Sequence, residues 1–266
     1  MPDNVAGGAT AANKIFFSHL SRTEVAEIAA DAVLVIPVGA TEQHGPDMPL
    51  ATDYAIVEAL VERAVRAGDF SRPVVIAPTL AYGHSEHHLF ACAGSLSTTT
   101  YLAVLDDLIA SAIASGFQRV MFVNGHGGNS DLINVAVAKA SYTHDGIFAA
   151  LSYWKLASAV EGGAFDSYPG HAGQFEASLL MSVRPDILAP GTELGGGEPP
   201  AQMTNMVGVG PGTLVVRTGD WAATGGWTQD PAGSAPELGE PYRDAFVAEL
   251  TTTLANLCEV ALPQQR

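Results

Sequence analysis

Apolar residues follow two different spacings along the chain. Short continuous apolar runs occur at residues 33–38, 73–78, 119–123 and 147–153. Longer segments in which apolar residues recur every three to four positions lie at 54–67, 98–115, 131–144, 173–183 and 241–262. The first spacing predicts buried strands, and the second predicts amphipathic helices.

Strands and helices therefore alternate in the predicted order, with short connections. This alternation is typical of an α/β fold with a parallel central sheet and right-handed crossovers. A further short helix is predicted at 23–30, where Ser21 and Glu24 can form a capping box. Residues 1–13 are predicted to be a flexible tail, and 14–266 a single domain.

One long segment, 186–240, shows neither spacing. It is rich in Gly, Pro, Thr and Trp. So long a stretch without regular structure usually has a function or lies at an interface. We therefore expect it to contribute to a site or to a subunit contact.

The overall charge limits the partners of the protein. The 266 residues include 28 acids and 12 bases, which gives a net charge of -16. An acidic surface repels nucleic acids and anionic membranes, so we expect neither as a partner. Cys92 and Cys258 do not have the spacing of a metal or redox motif and are predicted to be reduced, mostly buried thiols. We expect a cytoplasmic protein, because no signal peptide or membrane-spanning run is visible.

The candidate chemistry begins directly after the first predicted strand. Glu42 and His44 are two positions apart, so their side chains point to the same side of an extended segment. Asp53 follows at a predicted helix start, where it would either cap the helix or bridge two metal ions. The positions beyond strand ends are where α/β proteins place their sites. This loop is therefore a candidate for half of a metal site.

Further candidates follow later strands. His126 lies between glycines in Asn124–Asn129, after the third strand, and a simple tight turn would not need a histidine there. His171 and Glu176 open another helix, where Glu176 would otherwise cap the helix. A histidine cluster at 84–88 would either line a pocket or lie in a solvated loop.

Together these residues supply imidazole and carboxylate ligands without thiolates. Such a set suits divalent ions such as Zn²⁺, Mn²⁺ or Fe²⁺. Two ions about 3.5–4 Å apart activate a bridging water and polarise a carbonyl. His171 is the candidate general acid/base that transfers a proton to a leaving nitrogen. The predicted reaction class is metal-assisted hydrolysis.

These motifs resemble those of the creatininase (creatinine amidohydrolase) family, at residues 39–53, 124–129, 171–178 and 226–231. The resemblance implies a three-layer α/β/α fold and a binuclear centre that hydrolyses small, often cyclic, amides with a metal-bridging hydroxide. It also implies the metal ligands: Glu42 and His126 for one ion, His44 and Glu176 for the other, and Asp53 as the bridge. His171 matches the catalytic histidine, and Trp154 a tryptophan that encloses substrate. The expected cofactors are two divalent ions per subunit, zinc with manganese, iron or a second zinc.

Two positions depart from creatininase proper. Gly128 replaces a glutamate, and residues 90–94 (Phe-Ala-Cys-Ala-Gly) replace the usual Phe-Pro-Gly-Thr stretch. Both changes call creatinine as the substrate into question while leaving the metal ligands intact. The resemblance also implies a homo-oligomer, with a hexamer expected.

The leading hypothesis is therefore an amidohydrolase that acts on a small, creatinine-like cyclic amide. One alternative is a mycofactocin-type peptidase of the same family, which needs a more open cleft for its peptide. Another is a non-catalytic protein that binds a small molecule on this fold.

Overall fold

Four parallel strands form the central sheet. The computed structural model describes residues 14–156, 160, 163–165, 170–195 and 217–263. Within these ranges the strands are β1 (Val33–Val38), β2 (Val74–Ile76), β3 (Arg119–Asn124) and β4 (Ile147–Ser152). They lie in the order β2-β1-β3-β4, and each neighbouring pair is parallel. The predicted α/β fold with a parallel central sheet is confirmed.

Helices connect and cover the strands. Those described are α1 (Arg22–Ile28), α2 (Thr52–Ala67), α3 (Thr98–Ala114), α4 (Ser130–Thr143), α5 (Gln174–Val183), α6 (Asp220–Ala223) and α7 (Pro236–Glu259). The predicted capping box is present at α1, where Ser21 accepts from the Glu24 backbone and Glu24 accepts from the Ser21 backbone. The helices at 54–67, 98–115, 131–144 and 173–183 are also present, with small shifts at their ends.

Both faces of the sheet are buried, which gives three layers. Leu34 of β1 packs on one side in a cluster with Leu105 of α3. Val35 packs on the other side with Val57 of α2 and Leu250 of α7. Successive side chains of a strand point to opposite faces, so a strand covered on both sides is continuously apolar. The two helical layers therefore explain the unbroken apolar run of β1.

Two secondary-structure predictions are wrong. The last helix begins at Pro236, so Pro241 lies inside it. Pro241 removes one backbone hydrogen bond, but the aromatic rings of Tyr242 and Phe246 hold this part of α7 against Phe175 of α5. Part of the segment 186–240 is also regular, since it contains α6 and the start of α7.

Some predictions concern residues that the structure does not describe. The tail at 1–13 and residues 196–216 of the long segment lie outside the described ranges. Among the described helices, none is both long and apolar enough to cross a membrane. Both cysteines are free thiols, but Cys92 is exposed and only Cys258 is buried as expected.

Candidate metal centre

The candidate residues meet at the carboxyl edge of the sheet. Val38 at the end of β1 pairs with Asn124 at the end of β3, and Asn124 pairs with Ser152 at the end of β4. Parallel strands in this register deliver their following loops to the same place. The loop after β1, the loop after β3 and the residues after β4 therefore line one cavity.

The loop after β1 is held by backbone contacts. The Glu42 N–H donates to the Leu50 carbonyl oxygen at 3.1 Å, and the Gln43 N–H donates to that of Cys92 at 2.7 Å. A β-bridge joins His44 to Met48. These bonds fix an extended segment, and both Glu42 and His44 direct their side chains into the cluster, as predicted.

The loop after β3 is tied to its own strand. Asn124 accepts from the His126 N–H at 2.9 Å through its Oδ1, and its Nδ2 donates to the Ser152 hydroxyl at 3.0 Å. A side chain at Gly125 would place its Cβ only 2.6 Å from the Asp53 carbonyl oxygen. Glycine is needed there, because the loop lies directly on the start of α2.

The helix starts at Asp53 and Glu176 differ from each other. The N-cap of α2 is Ala51 and no side chain caps it, so the helix-capping alternative for Asp53 is wrong. Glu176 does accept from a backbone group at the start of α5, the Ala172 N–H at 2.6 Å. Ala172 has a φ of 55°, which is left-handed backbone. This turn brings His171 and Glu176 to the same cavity.

Two groups of possible metal ligands share one residue. Asp53 Oδ2 is 3.0 Å from His126 Nδ1, and Asp53 Oδ1 is 3.2 Å from His44 Nε2. Glu42 Oε1 is 3.3 Å from His126 Nδ1, and Glu176 Oε2 is 3.9 Å from His44 Nε2. In each group, Glu42-Asp53-His126 and His44-Asp53-Glu176, the ligand atoms lie within 4.8 Å of one another. The structure thus brings all the predicted ligands together, with Asp53 between the two groups.

Several of these oxygens accept no hydrogen bond from the described residues. Both carboxylate oxygens of Glu42 and Oδ2 of Asp53 are buried without a hydrogen bond from the described residues. Buried carboxylates normally have partners, and a cation is one way to supply them. The chemistry of the donor set fits a divalent ion.

The two imidazoles are also oriented for this purpose. His44 Nδ1 contacts the Glu42 carbonyl oxygen at 3.1 Å, and His126 Nε2 contacts that of His84 at 3.1 Å. A proton donated to a carbonyl leaves the opposite nitrogen as the ligand atom, an arrangement common around metals. In both residues that opposite nitrogen faces Asp53.

Burial and mutual attraction shift the pKa values of the cluster. Burial opposes charge on His44, but Asp53, Glu176 and Glu42 outweigh it and raise the His44 pKa to about 10. Burial likewise opposes the Asp53 carboxylate, yet His44 and His126 lower its pKa well below the usual value. For Glu176, burial and the charge on Asp53 raise the pKa to about 8, against the opposing effect of His44.

These pKa values predict that metal binding releases protons. His44 and Glu176 each hold a proton at pH 7, since both pKa values lie above 7, and metal ligands must lose their protons. Apparent Mn²⁺ affinity should therefore fall as the pH is lowered from 8 to 6, about tenfold per pH unit for each proton released. Titration calorimetry in buffers with different ionisation heats measures this release. Identical heats in all buffers would contradict the prediction.

His171 is placed beside the two groups rather than between them. Its ring is 4.3 Å from that of His44, and its Nδ1 is 3.8 Å from Glu42 Oε1. Burial lowers the His171 pKa well below its usual value, and positive charge on His44 lowers it further. The neutral ring is able to accept a proton in the cavity.

These residues surround a cavity with a volume of about 290 Å³ within the described residues. Its lining consists of Glu42, Asp53, His87, His88, residues 125–128, Trp154, Gly170, His171, Glu176, Trp221 and Thr228. Trp154 thus lies where expected, and its ring packs edge-on to Tyr153.

Three further residues lie in this cavity region: His88, for which the sequence left two alternatives open, and Trp221 and Gln43, which were not predicted. His88 is fully buried, so the solvated-loop alternative is wrong for it. Trp221 packs in a T-shaped arrangement against the rings of His88 and His171, with ring centroids 4.5 and 5.3 Å apart. Gln43 Nε2 contacts His88 Nδ1 at 2.7 Å. The density of histidines at 84–88 was the signal for His88, whereas no pattern distinguished Gln43 or Trp221.

Comparisons with known proteins show which family this chain is similar to. Over 157 residues the chain is 37% identical to a mycofactocin precursor peptide peptidase of Mycolicibacterium smegmatis, which covers 58% of this chain and 59% of that protein. The chain thus matches about three fifths of the length of this relative. It is 30% identical to a creatinine amidohydrolase of Pseudomonas putida over 196 residues, 65% of this chain and 74% of that protein.

The fold comparison covers almost the whole chain. A solved creatininase superposes with a TM-score of 0.74 at 24% identity, over 93% of this chain and 99% of that one. Creatininase has also been solved in a manganese form and, as a variant, in a Zn-Zn form. The family model described as creatinine amidohydrolase matches residues 18–254. This chain therefore belongs to the creatininase family.

Proposed function

We propose that the protein is a dinuclear metal-dependent amidohydrolase that cleaves a C–N bond of a small, creatinine-like amide. The observation that carries this proposal is the sharing of Asp53 between the groups Glu42-Asp53-His126 and His44-Asp53-Glu176. A carboxylate common to both groups would hold two ions at the short separation of a two-ion centre, about 3.5–4 Å. Zinc fits the mixed nitrogen and oxygen ligands, with manganese, iron or a second zinc as the other ion.

The ions would supply an activated water and would polarise the amide carbonyl. The protein groups position the substrate and move the proton. His171 Nδ1 faces the cavity near Glu42 Oε1, where it would accept a proton from the attacking water and return it to the leaving nitrogen. Trp154 and Trp221 border the cavity and would restrict the entry of bulk water.

The size of the cavity supports a small substrate. Its volume of about 290 Å³ is close to the lower limit for small-molecule sites, which span about 300–1,000 Å³. The glutamate of creatininase proper has no room in this backbone. A Cβ at Gly128 would lie 2.3 Å from the His84 carbonyl oxygen and 2.6 Å from His126 Nε2. The substrate is therefore expected to differ from creatinine.

The neighbouring glycines provide a matched test of this crowding. Gly128→Ala should displace His126, destabilise the fold by about 1–3 kcal/mol and weaken metal binding by about 10–100-fold. Gly127→Ala is the control, because nothing lies within 4 Å of its added Cβ. Thermal unfolding and metal titration compare the two variants. Equal behaviour of both would show that Gly128 is not constrained as described.

A second candidate is a peptidase of the mycofactocin type. The sequence identity to such a peptidase favours it, as does a second cavity of about 390 Å³ that shares His87 and Trp221 with the first. This cavity also includes Phe90 and Arg217, and it would extend the site for a longer substrate. The non-catalytic alternative is not favoured, because the residues expected as ligands lie close enough together to hold metal and the matching family model is that of an amidohydrolase.

One activity screen tests the proposal. Metal-replete protein is incubated with creatinine, cyclic amides, ureides, formamides and short peptides, and released amines or acids are measured. Hydrolysis of a small amide, lost on chelation and restored by Zn²⁺ or Mn²⁺, is the expected result. Cleavage of peptides alone would favour the second candidate, and no hydrolysis in any class would contradict both. Sedimentation of the same sample tests the expected hexamer.

A further inference from the structure

The side-chain amide of Gln43 has a defined orientation. Its Oε1 accepts from the Gly45 N–H at 2.9 Å, and its Nε2 donates to the Gly226 carbonyl oxygen at 2.8 Å. Gly226 has a φ of 94°, and a Cβ there would lie 2.2 Å from Gln43 Oε1. The amide is therefore enclosed by backbone. Exchanging its oxygen and nitrogen would place the amide oxygen against the Gly226 carbonyl oxygen and the amide nitrogen against the Gly45 N–H.

This orientation determines the tautomer of His88. One hydrogen of Gln43 Nε2 is used by Gly226, and the other faces His88 Nδ1 at 2.7 Å. Nδ1 must accept, so the ring proton is on Nε2. That nitrogen is buried, has no hydrogen-bond partner among the described residues, and lies 3.4 Å from Glu42 Oε1. His88 thus directs an N–H group to the edge of the metal centre.

The same residue orients His171. His171 Nε2 is 3.1 Å from Gln43 Nε2 and 3.1 Å from the Gln43 backbone oxygen. Both hydrogens of the amide nitrogen are already used, so His171 Nε2 carries a proton and donates it to the backbone oxygen. Its Nδ1 is then free to accept. The rings of His88 and His171 stack at 4.4 Å with an angle of 18°, and they present a donor and an acceptor side by side.

We propose that Gln43 is a positioning residue that fixes these two tautomers, and that His88 donates a hydrogen bond to the carbonyl oxygen of the substrate. His88 keeps its proton throughout, while the His171 acceptor handles the transferred proton. A fixed donor of this kind stabilises the negative charge that develops on a carbonyl oxygen during attack. The role of His88 toward substrate rests on the proposed function, whereas the tautomers do not.

The tautomer of His88 also decides whether this residue is a metal ligand or a hydrogen-bond donor. Glu42, His87 and His88 also lie close enough together to hold an ion. A ligand nitrogen needs a free lone pair, but His88 Nδ1 accepts from Gln43 and Nε2 carries the proton. His88 is therefore not a metal ligand.

Nitrogen NMR of zinc-loaded protein tests the tautomers independently of activity. In histidine labelled with ¹⁵N, protonated, unprotonated and metal-bound ring nitrogens have separate resonances, and His88→Asn identifies the His88 signals. We expect a protonated Nε2 and a free Nδ1. In Gln43→Glu the facing carboxylate cannot donate, so Nδ1 should become protonated, whereas Gln174→Glu, at an exposed amide, should change nothing. A metal-bound or unprotonated Nε2 in the wild type, or no change in Gln43→Glu, would overturn the proposal.

Kinetics on whichever amide the screen identifies tests the donor. His88→Asn should lower kcat about 10²-fold with little change in KM, and with metal content unchanged. His88→Gln, whose amide N–H reaches the position of Nε2, should recover most of the loss. Equal losses in both variants, or loss of an ion, would overturn the donor role. If no substrate is found, the proposed function fails, and the NMR result still decides the tautomers.

Discussion

Replacing Asp53 with alanine should remove metal from both halves of the centre. Its two oxygens face different imidazoles, Oδ2 toward His126 and Oδ1 toward His44. Of the four ligand groups found among the described residues, Glu42-Asp53-His126 and His44-Asp53-Glu176 are the two that contain Asp53, and they share no other carboxylate. Metal analysis should find about two ions per wild-type chain and close to none in the variant. Losing a residue that only hydrogen-bonds to a metal ligand typically lowers activity by about 10–100-fold. Losing Asp53 should lower activity by more than this.

Two further variants test whether the metal loss is due to the Asp53 carboxylate itself. Asp53→Asn keeps the shape of the side chain and removes its charge, so it separates metal loss from misfolding. Asp47→Ala changes an acid in the same loop that is exposed and accepts from the Gly195 N–H, and it should retain metal. Full metal content in both Asp53 variants would show that the centre is not bridged as proposed.

Replacing His171 should abolish most of the turnover while the metal remains. A general acid/base contributes about 10²–10⁴-fold to rate, so His171→Ala and His171→Gln should lower kcat by that order. Because burial lowers the His171 pKa, the wild-type rate should not decline through protonation of this base until well below pH 6.5. Steady-state kinetics with parallel metal analysis measures both properties.

The metal content decides what a loss of rate means. Glu42, His44 and His171 also lie close enough to form a ligand group. Loss of an ion in the His171 variants would make this residue a ligand rather than a base. His19→Ala, at an exposed histidine, is the control and should match the wild type.

The fold was largely predictable because local and long-range signals agree. The apolar run of β1 indicated a strand covered on both faces, and its bounds match the structure. The start of α7 was missed because Pro241 normally marks a helix end or start, whereas here packing of Tyr242 and Phe246 outweighs it. Such packing depends on residues far away in the sequence, and no local pattern shows it.

The ligand residues were predictable for a different reason. Carboxylates and imidazoles next to glycines after strands indicate chemistry, and parallel strands bring those loops together. Gln43 was passed over because a neutral amide between two candidate ligands has no signature of its own. Its importance comes mainly from two neighbours far away in the sequence, His88 and Gly226, which no spacing in the sequence predicts.

The left-handed turn at Ala172 has a consequence for the evolution of stability. It is the one non-glycine residue with positive φ within the described ranges, and such a conformation costs an L-residue about 1–2 kcal/mol. Glycine would relieve that strain but would leave the turn between His171 and the start of α5 looser. Selection for a more stable chain and selection for a rigidly held base and ligand therefore act in opposite directions at this position.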